Sequence, residues 1–226
     1  MCASSPLVAE GVRARFFRSA TVALVGIVAF AGVYLARVPI LGFLGEILVY
    51  SDPLAAVDAI VITLDSGGAG TLEAADLIKS GIASRVAVFS DPPVTVDDQE
   101  FDRRGLPHDD RSARQLNQLT LLGVKGAVQI PAQVSGTTDE VDALPAWCID
   151  RGLSSVIVIS TTDHSRRLRR ALTRSTAHQP VRFLVRASRY SNFDPHHWWE
   201  DRNGVRTAII ELQKLAFDVL AHPAID

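Results

Sequence analysis

The segment Ser160–Arg167 reads Ser-Thr-Thr-Asp-His-Ser-Arg-Arg, a set of side chains that could do chemistry together. His164 could act as a catalytic acid or base near neutral pH. The hydroxyl of Thr161 could bind an oxyanion, and Arg167 could offer a bidentate fork to a phosphate or carboxylate. The alternative is structural, with Asp163 capping a helix and the arginines solvated. Because several suitable types converge here, we favour a site for an anion.

Other segments offer partners for this site. The glycine-rich run 65–68 would let the backbone approach a ligand closely, although a tight strand-to-helix turn explains it equally well. It has neither the spacing of a dinucleotide fingerprint nor the lysine of a P-loop. Thr138 and Glu140 begin a predicted helix, where they either cap it or face the cleft. We therefore predict His164 and Glu140 as catalytic residues and Asp65, Ser66, Gly67, Gly68, Ser90, Thr138, Thr161 and Arg167 as ligand-binding residues.

Arginines are concentrated between residues 166 and 189. This basic face would suit anionic lipid headgroups, or it could pair with the acidic segment 91–110. The whole chain carries 23 basic and 25 acidic residues, a formal charge of −2, so nothing in its charge leads us to expect nucleic acid as a partner.

Several other kinds of site find little support. The adjacent His196 and His197 have no carboxylate at a fixed spacing, so we expect no metal site. A serine triad lacks its Gly-x-Ser-x-Gly elbow. Cys2 and Cys148 are too few for a disulfide framework, and Cys2 precedes the apolar run, which excludes a lipoprotein cysteine. The sequence identifies no cofactor.

Short apolar runs alternate with helical patterns after residue 57. This alternation predicts an α/β domain, Rossmann-like and three-layered, around a mainly parallel sheet of about five strands. The predicted strands are Asp58–Thr63, Arg85–Ser90, Val128–Pro131, Ser155–Ser160 and Val181–Val185, and the predicted helices cover 70–80, 111–122, 138–150, 164–175 and 202–221.

In such sheets a ligand binds beyond the carboxyl ends of the strands. We therefore expect the cleft among residues 64–70, 90–93, 132–138 and 161–164. The polar segment 91–110 is predicted as an irregular loop that could cover it. Trp198 and Trp199 are expected to pack on the sheet or to border the cleft.

Residues 19–36 contain no charge and, as a helix, would extend ~27 Å, nearly the thickness of a bilayer core. We predict a signal anchor over 19–37 that binds the lipid bilayer through 19–36; a cleaved signal peptide and a buried core helix are the alternatives. Arg13, Arg15 and Arg18 predict a cytoplasmic segment 1–18, which places the rest outside the cytoplasm. A connector, 38–57, would then lead to the domain at 58–222.

Motifs over roughly residues 45–220 resemble the SanA/ElyC/YdcF-like family of bacterial domains. The similarity lies in Leu48–Pro53 leading to Val57–Val61, in Thr138-x-Glu140, in Ser160-Thr161-x-x-His164-x-x-Arg167, and in Trp199 followed by Glu211-x-x-Lys214. The loops at 64–68, 137–141 and 91–93 depart from the family pattern, as expected of a divergent member. The resemblance implies a Rossmann-like domain, exported behind a bacterial inner-membrane anchor, with a role in cell-wall or envelope biogenesis.

These observations lead to two expectations about function. In the first, the exported domain binds an anionic envelope precursor that contains phosphate or sugar, either with or without processing it. In the second, a non-catalytic adaptor contacts lipid headgroups or a partner protein through the arginine-rich face 166–189. A cytosolic nucleotide-binding enzyme would require the anchor prediction to be wrong.

Overall fold

The computed structural model describes residues 6–91, 94–106 and 110–223. Along the chain it divides into two units, with the boundary between Phe43 and Leu44. The predictions about Cys2 and about part of the segment 91–110 lie outside the described residues.

The first unit consists of the long helix α1, Pro6–Glu46, which continues into the second unit. Its stretch Leu24–Glu46 has a mean hydropathy of 2.1, and its residues up to Leu44 are exposed or half-buried. The buried core helix is therefore wrong, whereas a single-pass anchor and a signal sequence both fit. Because Pro39 removes a backbone donor without ending α1, the predicted connector begins as helix.

The second unit is built on a sheet of five parallel strands, as predicted. Their order across the sheet is β3-β2-β1-β4-β5. The chain direction across the sheet therefore reverses between β1 and β4, which is the switch point of a doubly wound sheet. The strands are β1 Ala59–Ile62, β2 Val86–Ser90, β3 Val128–Gln133, β4 Ser155–Ser160 and β5 Arg182–Ala187.

Helices cover both faces of this sheet. They are α2 Gly67–Lys79, α3 Val96–Arg103, α4 Arg111–Leu121, α5 Thr137–Asp150, α6 Ser165–Thr176 and α7 Arg202–Ala221. Alternate residues of β1 point to opposite sides: Val61 joins one apolar core with Leu144 and Leu168, and Ile60 joins the other with Ala74 and Leu119. Because both faces are buried, the strands are continuously apolar, which is why they could be recognised in the sequence.

The turn from β1 into α2 explains part of the glycine-rich run. Gly67 has a φ of +47°, in the left-handed region that favours glycine. A Cβ at Gly70 would lie 2.3 Å from the Ser66 hydroxyl and 2.7 Å from the Ile62 methyl group. The first turn of α2 thus approaches β1 too closely for a side chain at this position.

The segment 47–57, within the predicted connector, packs on the domain. The backbone N–H of Arg166 donates to the Leu48 carbonyl, and its guanidinium donates to the carbonyls of Ile47 and Val49. The N–H of Asp52 donates to the Val185 carbonyl at 2.9 Å. This segment is therefore held against α6 and β5.

The segment 91–110 is not simply irregular, because α3 forms within it. Thr95 and Asp98 make a reciprocal capping box at its start. None of its residues is buried, so it lacks the apolar periodicity on which the prediction depended.

Candidate functional site

A cavity of about 740 Å³ opens at the carboxyl ends of β1 and β4. These strands are neighbours at the switch point, so the loops that follow them lie together, as predicted. The cavity is lined by Asp65, Ser66, Gly68, Ala69, Thr161, Asp163, His164 and residues 191–193, and by eight residues from Asp201 to Lys214, at and after the start of α7. The prediction thus placed two of its four cleft loops in one site.

His164 lies at the centre of this site and is almost fully buried. Its Nδ1 atom is 3.4 Å from a carboxylate oxygen of Glu211, and its Nε2 atom is 3.1 Å from the hydroxyl of Thr137. Asp65, on the cavity side, is 3.7 Å from Nε2. The imidazole therefore lies between two carboxylates, with a hydroxyl group beside its Nε2 atom.

Glu211 on α7 is the direct carboxylate partner of His164, and sequence reasoning did not include it among the site residues. It accepts hydrogen bonds from Arg167 at 3.0 Å and from Lys214 at 2.7 Å. Burial alone would raise the pKa of Glu211, but the hydrogen bonds from His164, Arg167 and Lys214 hold it below its ordinary value. Glu211 is therefore a fixed negative charge behind His164.

Arg167 does not offer a free fork to a ligand, contrary to the prediction. Its guanidinium donates to Glu211 and, at 3.1 Å, to the Thr137 hydroxyl. The side chain is 17% exposed and lines a second, smaller cavity of about 460 Å³ rather than the first. Arg167 thus holds in place the two side chains that lie next to the His164 ring.

Glu140 is buried on α5, and its carboxylate accepts the backbone N–H of Leu64 at 2.7 Å. Burial, assisted by the negative charge of Asp65, raises the pKa of Glu140 to about 7, although the Leu64 N–H and the charges of His164 and Arg167 act in the opposite direction. The structure shows no hydrogen bond between Glu140 and His164. Glu140 can therefore alter the charge around His164 without touching it.

Asp163 is a further titratable group in the cavity lining. Burial raises its pKa, and the nearby charge of Glu211 acts in the same direction, while a hydrogen bond from Thr161 opposes them. Asp163 does not cap α6 through its side chain, since no side-chain cap is formed there. The structural alternative for Asp163 is therefore wrong.

The loop after β1 contributes unevenly. Asp65 lines the cavity with 60% of its side chain exposed. Ser66 also lines it, but its hydroxyl donates to the Thr63 carbonyl. Gly68 lies in the lining, whereas the carbonyl of Gly67 accepts from Thr71.

Thr138 and Ser90 lie outside the main cavity. Thr138 is exposed and lines the smaller cavity, while its neighbour Thr137 is the one that reaches His164. The Ser90 hydroxyl donates to the Ile130 carbonyl, and Ser90 lines a third cavity, of about 650 Å³, together with Asp91. The four predicted cleft loops are thus divided among three cavities.

The arginine-rich face 166–189 is largely occupied by internal ion pairs. Seven ion pairs join it to carboxylates of the same unit: Arg167–Glu211, Arg169–Asp52, Arg170–Asp218, Arg174–Asp218, Arg186–Glu73, Arg189–Glu73 and Arg189–Asp76. Within the described part of 91–110, the carboxylate of Glu100 pairs with Arg103 and Arg104 of its own segment. These arginines therefore have structural partners, and the pairing predicted with the acidic segment is not seen among the described residues.

The two histidines before α7 have separate partners. His196 lies 3.0 Å from Glu46, and His197 lies 2.9 Å from Asp194, whose hydrogen bond raises the pKa of His197. Over residues 6–91, 94–106 and 110–223 there is no cluster of three metal-ligating side chains. Trp198 is buried and packs edge-on against Trp199, and neither lines the main cavity.

The residues that sequence reasoning missed are Thr137, Glu211 and Lys214. Glu211 did leave a signal, because it falls at position i+3 between Ala208 and Leu215, on the buried stripe of α7. A carboxylate on the buried stripe of a helix costs free energy unless it is paired with polar or cationic groups. Such a residue in the sequence therefore indicates a cluster of polar side chains.

The fold and this site define a doubly wound α/β domain with a buried histidine–carboxylate pair at its switch point. No protein-family model matches the chain, and no curated protein matches it either. The similarity to the SanA/ElyC/YdcF-like family stays a resemblance of motifs.

Proposed function

We propose that this is an envelope-biogenesis protein whose exported α/β domain binds, and through His164 acts on, an anionic precursor that contains phosphate or sugar. The observation that carries the proposal is the convergence of His164, Asp65 and Asp163 with cationic side chains in one cavity of about 740 Å³. A cavity of that size can accommodate a sugar together with its phosphate.

Cationic groups in the cavity support the proposal that its ligand is an anion. Arg206 lines it, is exposed and forms no ion pair with a described residue. Lys214 lines it with 51% of its side chain exposed, although it also contacts Glu211. The first turn of α2 lacks a side-chain cap, so its backbone N–H groups add to the positive potential near Gly68.

The carboxylates of the cavity could bind the hydroxyl groups of a sugar and support proton transfer. Asp65 and Asp163 can accept hydrogen bonds from sugar hydroxyls. A proton taken up by His164 is stabilised by Glu211 on one side and by Asp65 on the other, at 3.4 and 3.7 Å. His164 therefore has the surroundings of an acid–base catalyst.

The membrane part of the proposal depends on α1. Its apolar length and the exposure of its described side chains support a bilayer anchor over residues 19–36. Arg13, Arg15 and Arg18 precede the apolar run and favour a cytoplasmic N-terminus, with the domain outside. A periplasmic reporter fused to the C-terminus should be active, because the domain would be exported. Activity of a cytoplasmic reporter at the same position would overturn the orientation.

Binding tests the site itself. The full chain in detergent micelles is titrated with UDP-N-acetylglucosamine, inorganic diphosphate and N-acetylglucosamine in a calorimeter. Arg206→Gln should weaken binding of the first two probes about tenfold, the equivalent of one lost charge-assisted hydrogen bond. The matched control is Arg85→Gln, an exposed arginine outside the cavity, which should bind like the parent.

An equal affinity of the Arg206→Gln variant and the parent would contradict the proposal. Binding of free N-acetylglucosamine alone would show a neutral-sugar site instead. The adaptor alternative has less support, because most arginines of the face 166–189 are already paired within the domain.

A further inference from the structure

Thr137 occupies an unusual position for a helix-capping residue. It is the first residue of α5, follows an N-cap glycine that makes no side-chain cap, and is 9% exposed. Its hydroxyl lies 3.1 Å from His164 Nε2 and 3.1 Å from an Arg167 nitrogen. It also lines the smaller cavity of about 460 Å³.

The directions of these hydrogen bonds follow from the groups involved. Arg167 can only donate, so the Thr137 oxygen accepts from it. The hydroxyl proton of Thr137 is then available to His164 Nε2, provided that the ring proton is on Nδ1. Glu211, 3.4 Å from Nδ1, favours that tautomer. Thr137, His164 and Glu211 are thus ordered as nucleophile, base and orienting carboxylate.

The start of α5 also offers a place for a developing negative charge. The backbone N–H groups of Thr138 and Asp139 lie in the first turn and form no hydrogen bond with a described residue. The Asp139 carboxylate, which could have capped them, accepts instead from Ser135 at 2.6 and 2.9 Å. Free N–H groups next to a hydroxyl nucleophile can stabilise an oxyanion.

We propose that Thr137 is a covalent nucleophile that cleaves a carboxylic ester of an anionic molecule bound in the smaller cavity. Lys214 and Arg174 in the lining would meet the anionic part, and Phe217 would meet an apolar part. The inference rests on the proposed function only for the role of His164 as a base, and it does not require binding through Arg206.

The reaction balances as an ester hydrolysis. The Thr137 oxygen attacks the carbonyl carbon while its proton passes to His164 Nε2. The bond to the alcohol then breaks, and the alcohol takes that proton from His164. Water next gives a proton to His164 and attacks the acyl-threonine; the bond to the Thr137 oxygen then breaks, the acid leaves, and the Thr137 oxygen takes the proton back from His164. Arg167 stabilises the threonine oxygen as it loses its proton.

The test is covalent labelling of the full chain in detergent with a biotin-tagged fluorophosphonate, followed by mass spectrometry of the modified peptide. Thr137 should carry the label, with fluoride as the leaving group. Thr137→Ser should still be labelled at residue 137, and Thr137→Val should not. The rate should fall about 100-fold or more in His164→Gln. The control Thr120→Val, whose hydroxyl bonds only to a helix carbonyl on α4, should be labelled like the parent.

A parent protein that is unlabelled or labelled elsewhere would overturn the inference, as would an unchanged rate in His164→Gln. Its failure is distinguishable from failure of the proposed function. If labelling is absent while Arg206→Gln still weakens probe binding, only the nucleophile is wrong. If Thr137 is labelled while Arg206→Gln binds normally, only the binding proposal is wrong.

Discussion

Replacing Glu140 with glutamine should remove a pH-dependent loss of stability. The buried carboxyl has a pKa of about 7 in the folded chain, against 4.5 for an unperturbed side chain. Below pH 4.5 the group is protonated in both the folded and the unfolded chain, so it costs nothing. As the pH rises from 4.5 to 7, the unfolded chain loses this proton and the folded chain keeps it, so the free energy of unfolding falls.

The size of the effect follows from the two pKa values. One pH unit of separation corresponds to about 1.36 kcal/mol, so a move from 4.5 to about 7 corresponds to about 3 kcal/mol. Glutamine keeps the oxygen that accepts the Leu64 N–H and cannot ionise. Glu140→Gln should therefore gain about 3 kcal/mol relative to the parent between pH 4.5 and pH 8.

Urea unfolding of the full chain in detergent, followed by tryptophan fluorescence at several pH values, measures this difference. The control is Asp150→Asn, at the exposed end of the same helix, which should show no comparable pH-dependent gain. If the stability difference between Glu140→Gln and the parent is the same at pH 5 and pH 8, Glu140 does not retain its proton and the reasoning is refuted.

Two further predictions concern ion pairs and acid stability. Glu211→Gln should lower the free energy of unfolding by about 3 kcal/mol, because it leaves Arg167 and Lys214 without their carboxylate at a site only 9% exposed. The control Glu100→Gln removes exposed ion pairs and should cost under ~1 kcal/mol. Equal losses of the two variants in urea unfolding would contradict this prediction. Asp58→Asn should lower the free energy of unfolding at pH 7, and its difference from the parent should disappear as the pH falls from about 4 toward 2. The reason is that hydrogen bonds, above all from the Ser154 N–H, hold the pKa of Asp58 at about 2, below its ordinary 3.8. A difference in unfolding free energy that persists at pH 2 would count against this prediction.

The strands were predictable because each of them is a continuous apolar run that can be recognised in the sequence alone. The strand Ser155–Ser160 was placed without error, since its continuous apolar run is buried on both faces. The strand Arg182–Ala187 was placed one residue early at its start and ended two residues too soon. Its last residues, Arg186 and Ala187, pair with Ile159 and Ser160 although they are not typical of a buried strand. Backbone pairing, rather than side-chain type, decides where that strand ends.

The composition of the site was less predictable because it depends on strand order. The sequence shows which loops follow strands but not which strands are neighbours. With β1 beside β4, the loops at 64–70 and 161–164 meet, while Ser90 ends β2 and lines another cavity. Glu211 reaches His164 from α7, 47 residues along the chain, and no local spacing encodes that contact.

The helical spacing of α5 explains why Thr137, and not the predicted Thr138, contacts His164. The residues of α5 that face the core include Thr137, Glu140, Val141 and Leu144, at spacings of three and four. Thr138 lies one position out of phase and is exposed. A prediction that paired Thr138 with Glu140 assumed a common cleft for residues two apart, which a helix does not provide.

The charges around His164 separate the groups that hold the site from those that could meet a ligand. Glu211 is paired with both Arg167 and Lys214, and the exposed part of Lys214 faces both cavities. The carboxylates of Asp65 and Asp201 also line the main cavity. Above about pH 7, ionised Glu140 adds a negative charge that opposes an anionic ligand. Because Glu140 bonds to Leu64 and does not line the cavity, it acts on the site through its charge, and its catalytic role stays a prediction.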